Sequence, residues 1–400
     1  MYSTFAFIFA AKFLKMDVRY YFDSVDFSLF CDSGPLNWKY SLGSVIEKST
    51  VALSKENIQK LNIAIVGVPF DSRKENTYSP EAPDKIRAEL YQLAKFSNKI
   101  NIADFGNLKP ASSTKGNYQA LRDIVDYFNE LKIVTIIIGG SQDLSIGICE
   151  AFKADTYFSY STIDAFLDVK TAKEPFNSSN YLTRVFTNQP QIFQFNLIGY
   201  QSYYLASDYL NKINGVNSHI RLGSLRNEIS LAEPVLRNTD FLSFDINSVK
   251  SAEAPGSMRT VPNGLRNEEA CQLTKYAGLS NRVKVLGLFD FVPENDRNDL
   301  TVKLAAQMIW YFLEGFINRD REKPDTGVNN KMYQVEVDDV DKPIVFFKNT
   351  ASNRWWMQVE TTDKEKLYFA CSSSDYEQAS NNEIPELWLK YIQKIDELLK

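Results

Sequence analysis

The stretch IVTIIIGGSQD, residues 133–143, opens with six β-branched residues, Ile133 to Ile138, and stops on two glycines followed by polar side chains. A strand that is apolar on both faces has to be covered on both. That is the pattern of a parallel sheet with helices on either side. Similar strand-like runs alternate with helical periodicities in both directions along the chain. Upstream lie Leu61 to Val68, a helix from Pro83-Asp84 to Ala94 with Ile86, Leu90 and Leu93 on one face, a short strand from Asn101 to Phe105, and an amphipathic helix from Asn117 to Leu131. Downstream, strands are expected at Thr156 to Ile163, Gln191 to Ile198, Ser218 to Leu222, Thr239 to Phe244 and Val283 to Phe289, with helices at Glu268 to Leu279 and Asp299 to Ile317. About eight strands alternating with helices predict the α/β class: one large, doubly wound domain.

The texture changes after Arg319. DREKPDTGVNNK is a charged linker containing Pro and Gly, and short alternating runs follow at Tyr333 to Val337, Pro343 to Phe347, Trp355 to Glu360 and Leu367 to Cys371, then a helix from Ile384 to Leu399. Residues 1–60 therefore read as a lead-in, 61–319 as the α/β domain and 320–400 as a small β-plus-helix module. The aromatic pairs Phe346-Phe347 and Trp355-Trp356 fit a core first and a partner-docking surface second.

The 400 residues are 44% hydrophobic and carry a formal net charge of −5, which leaves no basic footprint for nucleic acid or an anionic membrane surface. Cys31, Cys149, Cys271 and Cys371 form no CxxC pair, so reduced thiols and a cytoplasmic location are expected. The apolar start MYSTFAFIFAAKFL lacks a basic leading segment, and Met16 follows at once. The expectation is that translation begins at Met16 and residues 1–15 are an upstream extension.

In open α/β sheets, ligands bind beyond the carboxyl ends of the strands. Three strand-like runs end there in polar groups: Gln142 in 133–143, Asp164 and Asp168 in TYFSYSTIDAFLD (156–168), and Asp245 and Asn247 in FLSFDIN (241–247). Gly139-Gly140 suits a sharp turn, with or without close backbone approach to a ligand. Asp164 and Asp168 could hold a hard cation from one loop. Taken alone, the pair is better read as a helix cap and a solvated carboxylate. Asp245 and Asn247 are alternate residues and point to one side; Asn247 adds no charge and suits a turn.

Taken in order, GVPFDS, GGSQDLS, TIDAFLD, SFDIN and FDFVPEND (289–296) resemble the motifs of the ureohydrolase family of arginase, agmatinase and formimidoylglutamase, over residues 61–318 or so. GGSQDLS stands where that family has GGDHS, TIDAFLD where it has DAHLD, and SFDIN where it has SFDVD. The resemblance implies a three-layer arginase-like fold and a homo-oligomer. It also implies a binuclear manganese centre held by two histidines and four aspartates, whose bridging hydroxide attacks a guanidino or formimino carbon. Carried over residue by residue, it puts Gln142 and Phe166 at the two histidines, Asp164, Asp168 and Asp245 at three aspartates, Asn247 at the fourth, and Asp290 at the catalytic glutamate.

One histidine in the whole chain, His219, means that no realignment supplies two imidazole ligands, and His219 is given no role. No tightly bound metal and no cofactor are therefore expected. The alternative is Mn or Mg on Asp164, Asp168 and Asp245; otherwise protonation, water, or an Arg or Lys neighbour relieves the acids. The preferred functional reading is an inactive ureohydrolase-like protein, a pseudoenzyme. It keeps the fold to bind a small polar ligand through Gln142, Asp164, Asp168, Asp245 and Asn247, or a protein partner. The alternative is a metal-dependent hydrolase of a linear C–N bond in a guanidino or formimino compound.

Overall fold

The computed structural model describes residues 17–30, 36–48, 53–72, 77–78, 81–97, 99–169, 176–189, 192–205, 218–319, 324–361 and 364–398. The N-terminal extension and Cys31 lie outside these residues. Nine strands form the main sheet: β1 (Phe22–Asp23), β2 (Ile63–Val68), β3 (Ile102–Leu108), β4 (Val134–Gly139), β5 (Ser159–Ile163), β6 (Gln194–Tyr200), β7 (Ser218–Arg221), β8 (Phe241–Asp245) and β9 (Val285–Phe289). Their spatial order is β1-β3-β2-β4-β9-β8-β5-β6-β7, parallel throughout except for β1 against β3. The ninth strand comes from the lead-in; at two residues it is too short to show a period. Other strands start a few residues later than their apolar runs, because the first residues of those runs pack in the turns.

Alternation along each strand feeds two separate cores. On β2, Ile63 and Ile65 join one core, while Ala64, Val66 and Val68 join the other. The first is covered by α1 (Glu81–Leu90), and the second by α2 (Thr114–Glu130), α3 (Ser145–Ala151) and α4 (Tyr181–Asn188). Between β7 and β8 lies the short α5 (Ala232–Arg237), and α6 (Asn267–Leu279) and α7 (Leu300–Ile317) complete the first face. Each fully buried Ile or Leu contributes about 1.5–3 kcal/mol. Helix α3 left no amphipathic signature because Ser145 to Cys149 are all buried, with no wet face to break the pattern. At the side of α1, Arg87 is fully buried and donates to both Asp104 oxygens at 2.9 and 3.0 Å and to Asn107 at 2.6 Å, tying the helix to β3.

The C-terminal sheet is an antiparallel meander of β10 (Asn330–Val335), β11 (Ile344–Asn349), β12 (Trp355–Glu360) and β13 (Lys366–Cys371), followed by α8 (Ser373–Ser380) and α9 (Glu386–Leu398). Phe346, Phe347, Trp355 and Trp356 are buried, so the aromatic pairs are core and not a docking face. The sheet packs against the amino ends of the main strands. Asn238, just before β8, donates to the Ala370 carbonyl and accepts from its amide, both at 2.8 Å, and also donates to the Tyr391 hydroxyl at 3.1 Å. Tyr391 in turn donates to Gln194 at 3.0 Å and stacks on Phe369. No described helix is long and apolar enough to cross a membrane.

Candidate metal centre

The four central strands β4, β9, β8 and β5 are neighbours, so their carboxyl ends bring Gln142, Asp290, Asp245 and Asp164 side by side. The cluster is closed off from water: Gln142, Asp164, Asp168, Asp245, Asn247 and Asp290 are all buried. One carboxylate oxygen from each of Asp164, Asp168 and Asp245 lies within 4.8 Å of the others. All six sequence-derived pocket positions thus converge on one place, with Phe166 half-buried at its edge.

Backbone and amide groups fix the cluster. Asp164 accepts from the Phe166 amide at 2.9 Å, and Asp245 accepts from both the backbone and side-chain nitrogens of Asn247 at 2.7 Å. Asp290, in left-handed backbone at φ 67°, accepts from the Gln142 amide at 2.9 Å and from the Asn247 side chain at 3.3 Å. Asp is among the few residues that tolerate this conformation. The Gln142 side chain donates to Thr162 at 3.2 Å and Ser243 at 3.3 Å. Gly139 and Gly140 have a local reason. A methyl on Gly139 would meet the Phe289 ring at 2.4 Å, and one on Gly140 the Phe70 carbonyl oxygen at 1.8 Å. The close approach is between strand ends.

Arg259 was invisible to sequence reading. It lies in the irregular segment between β8 and α6, and its guanidinium donates to Asp168 at 3.0 Å while stacking 4.1 Å from the centre of the Phe166 ring. Phe166 stacks on Tyr204 at 4.5 Å on its other contact. The Arg259 backbone amide also donates to Asn247 Oδ1 at 2.6 Å, which ties the arginine's segment to the end of β8. The only signal for such a residue was arithmetic: three buried acids without a histidine need a counter-charge. His219, by contrast, lies exposed on the edge strand β7.

Burial first, and then repulsion from neighbouring acids (Asp245 and Asp168 acting on Asp164, Asp290 and Asp168 acting on Asp245), raise the Asp164 and Asp245 carboxyls well above the usual carboxylate range. Burial pushes Asp168 up to about 6, against the opposing pull of Arg259. Oδ2 of Asp164, Asp168 and Asp245, and Oε1 of Gln142, have no hydrogen-bond partner. Three buried carboxylates with oxygens this close are a donor set for one hard cation such as Mg, Mn or Ca. Asp290, the fourth buried carboxylate of the cluster, accepts from the Gln142 amide and the Asn247 side chain and adds no orphaned oxygen to this set.

A model of the arginase family matches residues 61–314. Formimidoylglutamase of Salmonella paratyphi A is 23% identical over 281 residues, covering 65% of this chain and 87% of the relative. Among solved structures, Trypanosoma cruzi formiminoglutamase with manganese aligns with a TM-score of 0.60 at 21% identity, over 67% of this chain and 97% of that one. The agmatine ureohydrolase of Thermoplasma volcanium aligns with a TM-score of 0.55 at 18% identity, over 70% and 95%. The fold is that of these structures, and with the family's model spanning more than half of its length, the chain belongs to the arginase family.

Proposed function

We propose that this arginase-family chain uses the acidic pocket to bind one small cation and does not run the two-metal hydrolysis of its relatives. The observation that carries this reading is Arg259. A protein cation is paired with Asp168 and capped by Phe166, one of the two positions where the family resemblance calls for a histidine. With Asn247 committed to Asp245, Asp290 and Arg259, the groups left to receive a ligand are Asp164, Asp168, Asp245 and Gln142. A guanidinium or amidinium group matches paired carboxylate oxygens as well as a metal does. Arg259 itself pairs with Asp168 through one such hydrogen bond, at 3.0 Å, so an incoming cation competes with it.

The orphaned oxygens favour a second reading, a hydrolase with one divalent ion on Asp164, Asp168, Asp245 and Gln142. Such an ion supplies Lewis-acid polarisation of a bound group. The chain's own contribution is then orientation and exclusion of water by the Arg259–Phe166–Tyr204 stack.

Elemental analysis of protein equilibrated with manganese, paired with assays for formamide release from formiminoglutamate and urea release from arginine and agmatine, separates the readings. The first expects at most one manganese per chain and no turnover. One manganese with turnover supports the second, and two with turnover defeats both.

A further inference from the structure

We propose that the C-terminal module docks a partner protein through a short amphipathic segment of that partner, apolar on one side and carrying lysine or arginine on the other. The surface is a groove between the β10–β11 turn and α9, in the part of the chain that lies beyond the residues matched by the family model.

The groove has a volume of about 690 Å³, within the size range of ordinary binding sites. Much of its lining is apolar. Val340 and Pro343 come from the turn, and Ile384, Trp388, Leu389 and Ile392 come from α9 and the residues just ahead of it. Val340, Trp388 and Ile392 lean on the module's own core and are only partly covered by it. Ile384 is 37% and Leu389 41% exposed. The inner face of α9 is spent on the core through Tyr391 and Ile395. Leu389 and Asp396, two helical turns apart, share a flank of that helix and face the groove together. The Trp388 indole N–H has no acceptor among the described residues and can donate to a backbone carbonyl of an incoming chain.

The rest of the lining is acidic and uncompensated. Asp339, Asp341 and Asp396 have no ion pair or hydrogen bond to their side chains among the described residues. Glu360 takes Lys342 at 3.1 Å, and Lys342 is the one cation that lines the groove. Four carboxylates against one ammonium leave three negative charges. Lys366, across the strand pair from Glu360, and Lys394, paired with Glu397, stand outside the lining. Glu336 and Asp338, in the same run VEVDDVDK (335–342), have the same sign as the excess.

That combination selects the occupant. Exposed apolar side chains mark an interaction surface, and potentials across an interface are complementary, so the partner is apolar where it meets Leu389 and Ile384 and basic where it meets the three aspartates. A second copy of the chain does not fit. Two-fold pairing sets the same patch on both sides, which would bring the Asp339–Asp341 rim against itself. Nucleic acid and an anionic membrane surface are repelled by the same charges.

The test is fluorescence anisotropy of the full chain at physiological salt with a labelled amphipathic peptide of leucine and lysine. Two control peptides keep one half of the recognition each: leucine with glutamate, and serine with lysine. Saturable binding of one leucine–lysine peptide per chain is expected, at least about tenfold tighter than either control. Asp339→Asn, Asp341→Asn and Asp396→Asn together should weaken it about tenfold and flatten its salt dependence. Ile384→Gln with Leu389→Gln should weaken it about fivefold. All five positions are exposed, and the two variants remove different halves of the surface, so the result stands even if one of them fails to fold. No saturable binding, either control peptide as tight as the first, or affinity unchanged in the folded variants overturns the proposal. So does a dimer of the chain alone, seen by sedimentation, that Ile384→Gln with Leu389→Gln dissociates, because a second copy would then be the occupant.

Discussion

The Arg259 guanidinium is held between the Asp168 carboxylate, 3.0 Å away, and the face of Phe166, 4.1 Å from the ring centre. It is a fixed internal cation beside three buried acids, and any external cation has to share the cluster with it. Arg259→Met should therefore raise manganese affinity by about tenfold or more, since an opposing charge a few ångströms away is removed. The same change should lower the stability of the metal-free protein by about 1–3 kcal/mol, because Asp168 loses its partner while largely buried. Manganese titration and denaturant unfolding in EDTA check the two halves separately.

Restoring the family's ligands tests how far the scaffold has drifted. Gln142→His, Phe166→His and Asn247→Asp together should increase manganese affinity, and adding Arg259→Met should increase it further. The second step matters because Phe166 is the platform on which Arg259 rests. No gain from the four changes combined would mean that the strand ends no longer hold binuclear geometry.

The acidic cluster sets a pH dependence with a definite sign. The folded protein holds protons on Asp168 up to about 6, and on Asp164 and Asp245 also well above the unfolded value of 3.8. A raised carboxyl pKa means that the folded state binds more protons in that window. Stability of the metal-free protein should then fall as pH rises from about 4 through 6 and beyond. Denaturant midpoints in EDTA at pH 5 and pH 7 should show the drop, and Asp164→Asn with Asp245→Asn should flatten it. An unchanged slope in the double variant would assign the effect elsewhere.

Asn238 is the pin between the two sheets, making paired bonds with the Ala370 backbone and a third with Tyr391. Asn238→Ala leaves a buried amide and carbonyl of Ala370 unsatisfied, at a cost of about 1–3 kcal/mol each. Limited proteolysis should release the C-terminal module more readily from this variant while the α/β domain stays intact. Equal protection in variant and parent would show that the Phe369–Tyr391 stack and Arg237, which donates to the Trp355 and Cys371 carbonyls at 3.2 Å, suffice to hold it.

The parts of the molecule legible in the sequence are those governed by local periodicity. Ile133 to Ile138 announced a strand buried on both faces, and Gln142, Asp164 and Asp245 were found because they end such runs. Asn247 followed from its spacing to Asp245, and Phe166 from the family resemblance, which places a histidine there. Arg259 did not, because its side chain reaches the pocket from an irregular segment whose path is set by tertiary packing. Tyr204, Thr162 and Ser243 escaped because their partners lie on other elements, far away in sequence. Helix α3 escaped for the opposite one, since a helix buried on every side has no amphipathic stripe to read.

The position of β9 bears on how the chain reaches this state. It is the last strand of the main sheet to be synthesised, and it lies between β4 and β8. Without β9, the strands made before it, β1 to β8, would divide into two groups, β1-β3-β2-β4 and β8-β5-β6-β7, each with an open central edge. Such edges are sticky, and pairing across so much intervening chain is slow. One five-residue strand thus joins the two halves of the sheet, and the same strand carries Asp290 alongside Gln142 and Asn247.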